Sequence, residues 1–246
     1  MTSQYGAYQS IDQIFVPIGK TEGFKILLTL MILFCAPMAV AAEEQSTENR
    51  VLRITQNMAA AFQKVQDYSC EVEEIFYGEG MEDPHYRFKY FFKKGKKIRV
   101  DFIQPYRGTA VLYIQGTKKV TVIPFSFLPI MRFRISIENP MVKTPTGQTI
   151  DQTDMGYFID FLFQNLKNVK QGENEFQEDG ERVSFLFWAL DYIKREKLQK
   201  YKIVISKSNW FPMIIERYDL NGNPIDTAHI KNCLINTHLD DSLFNP

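Results

Sequence analysis

Apolar and polar residues follow two different periods along the chain, and the change of period divides it into helical and extended segments. From Asn49 to Asp67, apolar residues recur at three- and four-residue steps, which is the period of an α-helix with one apolar face. The residues of that face are Val51, Ile54, Met58, Ala61, Phe62 and Val65. After Tyr68 the period becomes two, as in strands with one buried face. The pattern predicts an amphipathic helix followed by a β-rich domain.

Ten short segments share this two-residue alternation, and turns containing glycine, proline or charged residues separate most of them. They are residues 70–77, 86–92, 98–102, 110–114, 119–123, 132–137, 183–189, 200–206, 213–218 and 228–235. The turn at 219–223 contains Asn221-Gly222, a strong hairpin signal. Because strands and helices do not alternate, we expect an antiparallel meander and not a parallel sheet.

A second helix and one loop are more apolar than a surface segment should be. Asp154 is placed to cap a helix over 155–166, which is apolar on most of its sides. The loop 124–131 is rich in phenylalanine and is bracketed by prolines. Both segments are therefore predicted to cover the apolar face of the sheet.

The N-terminal region has the order of features found in a secretory signal. Lys20 and Lys25 precede the apolar run 26–35, and Ala39 and Ala41 supply the small-x-small pattern of a cleavage site. An acidic, polar stretch follows at once. We therefore predict an exported protein.

This interpretation places a cleavable signal peptide at 1–42 and a single domain at 43–246. The alternative is an uncleaved anchor, which needs about 20 apolar residues to cross a bilayer; the run here is shorter and ends near Pro37. Acylation of Cys35 would require a small residue before it, and that residue is Phe34, so lipidation is not predicted.

Composition excludes one class of function and leaves a question about the aromatic residues. The chain has 29 Lys+Arg and 29 Asp+Glu, so no net charge favours nucleic acid. Aromatic residues make up 14% of the chain, more than one small core would use. They either fill an aromatic core or line a concave apolar face, and the sequence leaves both interpretations open.

Residues that carry chemistry are scattered. His85, His229 and His238 each lack a second ligand at helical or hairpin spacing, and neither a nucleophile elbow nor a phosphate loop is present. We predict a protein that is not an enzyme and uses no cofactor or metal. Cys70 and Cys233 either form one disulfide in an oxidising compartment or remain two buried thiols.

Four segments together resemble the LolA-like family of periplasmic carriers that sort outer-membrane lipoproteins. They lie in family order at 67–69, at 93–105 with its basic turn, at 114–124, and at 210–222 with 235–244. The resemblance spans nearly all of the predicted mature chain. It implies an α+β fold that is mainly β, with a strongly curved antiparallel sheet forming an unclosed barrel. An N-terminal helix and an internal helical lid would cover this barrel.

The resemblance also implies a site. The apolar concavity of the family holds acyl chains, and the candidates for its wall and lid are Phe91, Val100, Phe102, Leu112, Phe125, Phe127, Leu128, Met131, Phe158, Phe161 and Leu162. In the family a basic residue of the second segment helps to control opening. Lys94 matches it here, although the family has arginine followed by proline and this chain has Lys94 followed by Gly95.

Three functions follow as hypotheses. The first is a monomeric periplasmic carrier that takes acylated lipoproteins or other lipid-anchored cargo from an inner-membrane donor complex toward an outer-membrane acceptor. The second is an envelope-sensing or regulatory lipid-binding module on the same half-barrel. The third is an envelope hydrolase with an unrecognised site.

Overall fold

The computed structural model describes residues 48–78, 84–125, 130–166, 176–191, 193 and 197–245, all within one compact unit, Gln45–Pro246. The predicted signal peptide at 1–42 lies outside the described residues. Within these ranges, no helix combines the length and the apolar character needed to cross a membrane.

One antiparallel sheet contains all the strands of the described ranges. In chain order they are β1 Asp67–Phe76, β2 His85–Lys93, β3 Lys97–Gln104, β4 Ala110–Ile114, β5 Lys119–Ile123, β6 Phe133–Ser136, β7 Phe176–Glu178, β8 Arg182–Leu190, β9 Leu198–Ser206, β10 Pro212–Tyr218 and β11 Pro224–Ile235. The spatial order is β6-β5-β4-β3-β2-β1-β11-β10-β9-β8-β7. The edge strands β6 and β7 do not pair with each other, so the curved sheet forms an unclosed barrel. The predicted fold class is confirmed, and only the short strand β7 has no counterpart in the sequence prediction.

Alternation along each strand decides which residues reach the concave core. In β9 the residues Gln199, Tyr201, Ile203 and Ile205 are buried, and their neighbours are partly exposed. The same period along β1 and β2 turns one set of aromatic and aliphatic side chains inward. The sheet therefore has one apolar inner face.

Two helices pack on this inner face. The described part of α1 covers 48–63, and its buried residues Val51, Ile54 and Met58 belong to the predicted apolar stripe. The second helix, α2, is Met155–Asn165, and the Asp154 carboxylate caps it by accepting from the backbone N–H groups of Gly156 and Tyr157 at 2.9 and 3.2 Å. The two predicted helices are thus present.

The helices approach each other closely at Gly156. A Cβ atom at this position would lie 3.0 Å from the Phe62 ring of α1 and 2.9 Å from the Asp154 cap oxygen. Any larger residue would have to displace one of these groups. Glycine therefore allows the first turn of α2 to sit against α1.

The C-terminal segment packs on the outer face of the sheet. A 3₁₀ helix at Asp241–Phe244 contacts β3 and β4, and its Phe244 is buried. Lys97 Nζ lies 2.8 Å from Asp241 Oδ1, and Arg99 Nη1 donates to the Leu243 carbonyl at 2.9 Å. These bonds fasten the chain end to the strands that follow the basic turn.

Candidate functional site

A cavity of about 1180 Å³ lies between the inner face of the sheet and its cover. Most of its lining side chains are apolar, and strands on both sides of the sheet centre contribute to it. Representative wall residues are Val72, Phe88, Val111, Val122, Ile215 and Ile230. The volume exceeds the ~300–1,000 Å³ typical of pockets for small molecules. The arrangement suits a long apolar ligand.

Three of the residues predicted for the cavity are in its wall. They are Val100 and Phe102, which lie two residues apart on β3, and Phe158 of α2. The segment 140–155 supplies further cover, because its 3₁₀ turn at Pro140–Val142 and Met155 also line the cavity.

Two predicted residues lie on the opposite face of the sheet. Phe91 is out of phase with the inward-facing Phe88 and Tyr90, because successive side chains of a strand point to opposite faces. Leu112 is out of phase with the wall residue Val111 and is buried in a separate cluster with Ala110 and Ile123. Neither side chain lines the cavity.

Four further predicted residues also lie away from the cavity wall. Phe161 and Leu162 are buried in the core beneath α2, where the Phe161 ring centre is 5.0 Å from that of Tyr201. Phe125 and Met131 are each 45% exposed and do not line the cavity. Phe127 and Leu128 lie outside the described residues.

The sequence prediction missed several wall residues, above all the inward-facing set of β1 and β2. This set comprises Tyr68, Cys70, Val72, Glu74, Phe76, Tyr86, Phe88 and Tyr90. All have even numbers, so the two-residue period places them on one face of the sheet. Whether this group faces the inside or the outside of the sheet is decided only by pairing with the rest of the sheet.

The cavity has a polar end, where Glu74 lines the cavity and a buried ion pair lies close to it. Arg217 of β10 and Asp226 of β11 are paired in the sheet and buried, and Arg217 Nε donates to Asp226 Oδ1 at 2.7 Å. Arg217 Nη2 contacts the second carboxylate oxygen and donates to Thr146 Oγ1 at 3.1 Å. The pair joins the sheet to the covering segment near residue 146.

Glu74 lines the cavity beside this pair. It lies opposite Ala228 of β11 and Tyr86 of β2. Burial raises the pKa of the Glu74 carboxyl to about 8, with the Asp226 carboxylate adding to the rise and Arg217 opposing it. Glu74 is therefore largely protonated and uncharged at neutral pH.

The start of α2 is held at the other end of the cavity. Lys96 Nζ lies 2.8 Å from Asp154 Oδ2, outside hydrogen-bonding angles, so the contact is an ion pair. Thr153 Oγ1 and Tyr90 Oη are 3.2 Å apart, and the Met155 N–H donates to Tyr68 Oη at 3.4 Å. Burial raises the pKa of both phenols, so each stays a neutral hydrogen-bonding group.

The predicted gating residue Lys94 has a different set of contacts. Its backbone N–H donates to the Gln66 carbonyl at 2.7 Å, and its side chain reaches the Gln63 carbonyl at 3.5 Å. Both acceptors lie at the end of α1 and in the residues just after it. Lys96, two residues further along the same turn, is the lysine that reaches the lid helix α2.

Cys70 and Cys233 are free thiols that contact each other. They meet where the β1–β11 register shifts between Ser69 and Glu71. Their mutual hydrogen bond raises the pKa of Cys70 and lowers that of Cys233. A disulfide between them stays a prediction.

The described ranges contain no group of three or more His, Cys, Asp or Glu side chains that could hold a metal ion. His85 Nε2 lies 2.9 Å from Glu73 Oε1 on the outer face of the sheet, away from the cavity.

Known proteins resemble this chain at the level of fold. No family model and no curated protein sequence matches it. Similar solved structures include a putative outer membrane lipoprotein-sorting protein domain from Vibrio parahaemolyticus, with 16% identity, a TM-score of 0.41, and coverage of 80% of this chain and 97% of that one. A LolA superfamily protein from Nitrosomonas europaea has 13% identity, a TM-score of 0.37, and coverage of 79% and 96%. The lipoprotein LppX from Mycobacterium tuberculosis has 9% identity, a TM-score of 0.46, and coverage of 78% and 98%. At these identities and TM-scores the similarity concerns the fold alone.

Proposed function

We propose that this protein is a non-enzymatic carrier that holds the acyl chains of a lipoprotein, or of another lipid-anchored cargo, in its cavity. The observation that carries the proposal is the cavity of about 1180 Å³ with mainly apolar walls. Export directed by the predicted signal peptide at 1–42, followed by its removal, would place the carrier in the periplasm. We propose that it acts there as a monomer. It would receive cargo from an inner-membrane donor and deliver it toward an outer-membrane acceptor.

The energetics of the cavity suit a carrier. Burying an acyl chain stabilises the complex by about 0.8 kcal/mol per methylene, so long chains would bind too tightly for release from a rigid site. A cover that closes over the empty cavity offsets part of this gain, because the cover must move before the chain can enter. Helix α2 and the segment 140–154 are that cover.

The rim of the cavity offers a route for cargo. Phe133 and Met141 line the cavity and are nevertheless 54% and 86% exposed, so they mark its mouth. Ile130, close to Phe133 in sequence, is 87% exposed. An apolar rim of this kind lets an acyl chain leave a membrane or a partner without crossing water.

The lid is proposed to be latched by Lys96. Its ion pair with Asp154 joins the basic turn to the first turn of α2, and the two side chains are 26% and 6% exposed. Lys94 contacts only carbonyl groups near the end of α1 and holds no part of the lid among the described residues. The gating role that the family resemblance assigns to this turn therefore fits Lys96.

Replacing Lys96 with methionine is expected to speed the release of a bound acyl probe about fivefold, since a partly buried ion pair contributes about 1 kcal/mol. The measurement is the dissociation rate of a fluorescent fatty acyl probe by stopped flow. Lys94→Met in the same turn is the control and should change the rate less than twofold. Equal effects of the two variants would contradict a latch at Lys96.

The carrier proposal is tested by filling the cavity. Ile230 lines it, and the next residue, Lys231, points to the other face and pairs with Glu73 at 2.9 Å. Ile230→Trp is expected to lower the affinity for the acyl probe at least tenfold by occupying its space, and Lys231→Trp should leave the affinity within twofold. If both variants bind like the parent protein, acyl chains do not enter this cavity.

The other two functions predict different results. A sensing module would capture a membrane-bound signalling protein and release no lipid to acceptor membranes. A hydrolase would turn over a lipid or cell-wall substrate and lose that activity on replacement of one acidic residue. The apolar, covered cavity favours lipid binding over hydrolysis, and transfer of lipid to acceptor membranes distinguishes the carrier from the sensing module.

A further inference from the structure

Glu74 is the carboxylate residue that strand β1 contributes to the cavity wall. It lies in β1 between the apolar wall residues Val72 and Phe76, and its side chain points into the cavity with theirs. In the described part of the chain, no side chain forms a hydrogen bond or an ion pair with its carboxyl group. Glu74 is half-buried, and a carboxyl group that faces an apolar wall is costly unless it gains a partner.

The groups that face Glu74 define what that partner can be. From β10 and β11 the facing groups are Arg217 and Asp226, which bond to each other. From β2 the facing group is Tyr86, and its pKa is raised by burial, by Tyr106 and by Glu74 itself. The Asp226 carboxylate disfavours a second anion at this end. Because Glu74 is itself uncharged at neutral pH, the end also offers no ion pair to a cation.

We propose that Glu74 is the head-group contact of the cavity, where its carboxylic acid donates a hydrogen bond to an uncharged oxygen of the ligand, such as an ester carbonyl or a hydroxyl. The acyl chains then run along the apolar wall toward α2. This inference rests on the proposed carrier function and names its ligand class as neutral acyl esters. Free fatty acid anions are disfavoured, because at Glu74 the effect of the Asp226 carboxylate exceeds the opposing effect of Arg217.

Binding of this kind depends on pH with a definite sign. The hydrogen bond requires the proton of Glu74, so it is present at neutral pH and is lost as the pH rises through about 8. A glutamine at this position keeps an N–H donor at every pH. A leucine fills similar space and removes the donor.

The test compares two ligands with the same chain, monooleoylglycerol and oleate, by displacement of N-phenyl-1-naphthylamine. At pH 6.5 the parent protein is expected to bind the ester at least tenfold more tightly than oleate. Glu74→Leu should weaken binding of the ester about fivefold, because one neutral hydrogen bond is lost, while the discrimination against oleate, which Asp226 supplies, persists. Glu74→Gln should keep the parent's affinity for the ester at pH 6.5 and, unlike the parent, also at pH 9.

Glu73→Gln is the matched control, because Glu73 is the next residue and its carboxylate pairs with Lys231 and His85 on the other face. It should bind both ligands as the parent does. An affinity for the ester that is unchanged in Glu74→Leu would overturn the head-group assignment and leave the carrier function intact. Failure of the parent protein to bind either ligand would overturn both.

Urea unfolding gives a second readout that does not depend on ligand. The pKa of Glu74 is about 8 in the folded chain against an ordinary value of 4.5, so between these values the folded state holds a proton that the unfolded state has lost. The stabilisation from this carboxyl group is therefore fully present below pH 4.5, decreases as the pH rises between 4.5 and 8, and is lost above about 8. The parent should lose more of its urea midpoint than Glu74→Gln between pH 5 and 8.5; identical pH profiles would contradict a buried, protonated Glu74.

Discussion

Replacing Asp226 with alanine is expected to lower the free energy of unfolding by about 3 kcal/mol, because it removes both close contacts of the buried Arg217 and leaves the more distant Asp191 carboxylate, 4.0 Å away, as its counter-ion. Arg217 and Asp226 are 3% and 5% exposed, and two contacts join the guanidinium to the carboxylate. The measurement is urea unfolding of the delipidated protein at pH 6.5. Glu178→Ala, which breaks surface ion pairs with Arg53 and Lys207, is the control and should cost less than about 1 kcal/mol.

The neighbouring Glu74 allows a second test of this ion pair. Without Asp226, the carboxyl of Glu74 can ionise more easily and act toward Arg217 as a substitute. The loss should therefore be larger in the Glu74→Gln background than in the parent. An equal loss in both backgrounds would show that Glu74 and Arg217 are not coupled across the polar end of the cavity.

Replacing Phe161 with alanine is expected to cost about 3–5 kcal/mol of unfolding free energy, the usual cost of removing a buried aromatic ring. Phe161 is 5% exposed, and its ring contacts those of Phe187 and Tyr201 under α2. Phe163, two residues further along the same helix, is 39% exposed. Phe163→Ala should cost less than about 1 kcal/mol, since surface substitutions have small effects.

The Phe161 variant also tests whether this residue belongs to the core beneath α2 and not to the cavity wall. Phe158 lines the cavity from the same helix, whereas Phe161 does not. A destabilised Phe161→Ala protein that still binds the acyl probe at temperatures where it is folded would agree with this division of α2. A loss of less than about 1 kcal/mol in Phe161→Ala would contradict the packing of α2 onto β8 and β9.

Much of the fold followed from the sequence because it depends on local periods. The stripe from Val51 to Val65 marked α1, and the cap at Asp154 marked the start of α2. The alternation of short segments separated by turns marked ten of the eleven strands. The exception, Phe176–Glu178, has three residues, which is too short for a period to be visible.

The site was less predictable because it depends on which strands become neighbours. A run of three aromatic residues, Tyr90 to Phe92, does not state which phase faces inward, and Phe91 proved to lie on the other face. Glu74 stands next to Glu73 in the chain, and nothing in the local sequence distinguishes the two carboxyl groups. The environment of Glu74 is made by Arg217 and Asp226, more than 140 residues away in the chain, and by pairing that no local pattern contains.

The basic turn shows the same limit at shorter range. The family resemblance matched Lys94 by its position in the motif, and a gating role for this turn stays a prediction. The backbone at Gly95 and Lys96 has positive φ values of 86° and 53°, which turn the chain so that Lys96 reaches α2. Whether a lysine contacts the lid depends on this turn geometry and on the position of the lid. The sequence motif specifies neither of them.

Native mass spectrometry of the protein purified from the periplasm tests the central claim most directly. The carrier account predicts a bound species with the mass of a lipid or an acylated protein, reduced in Ile230→Trp and retained in Lys231→Trp. A protein that is free of lipid in every preparation, and that extracts no acylated cargo from membranes, would contradict it.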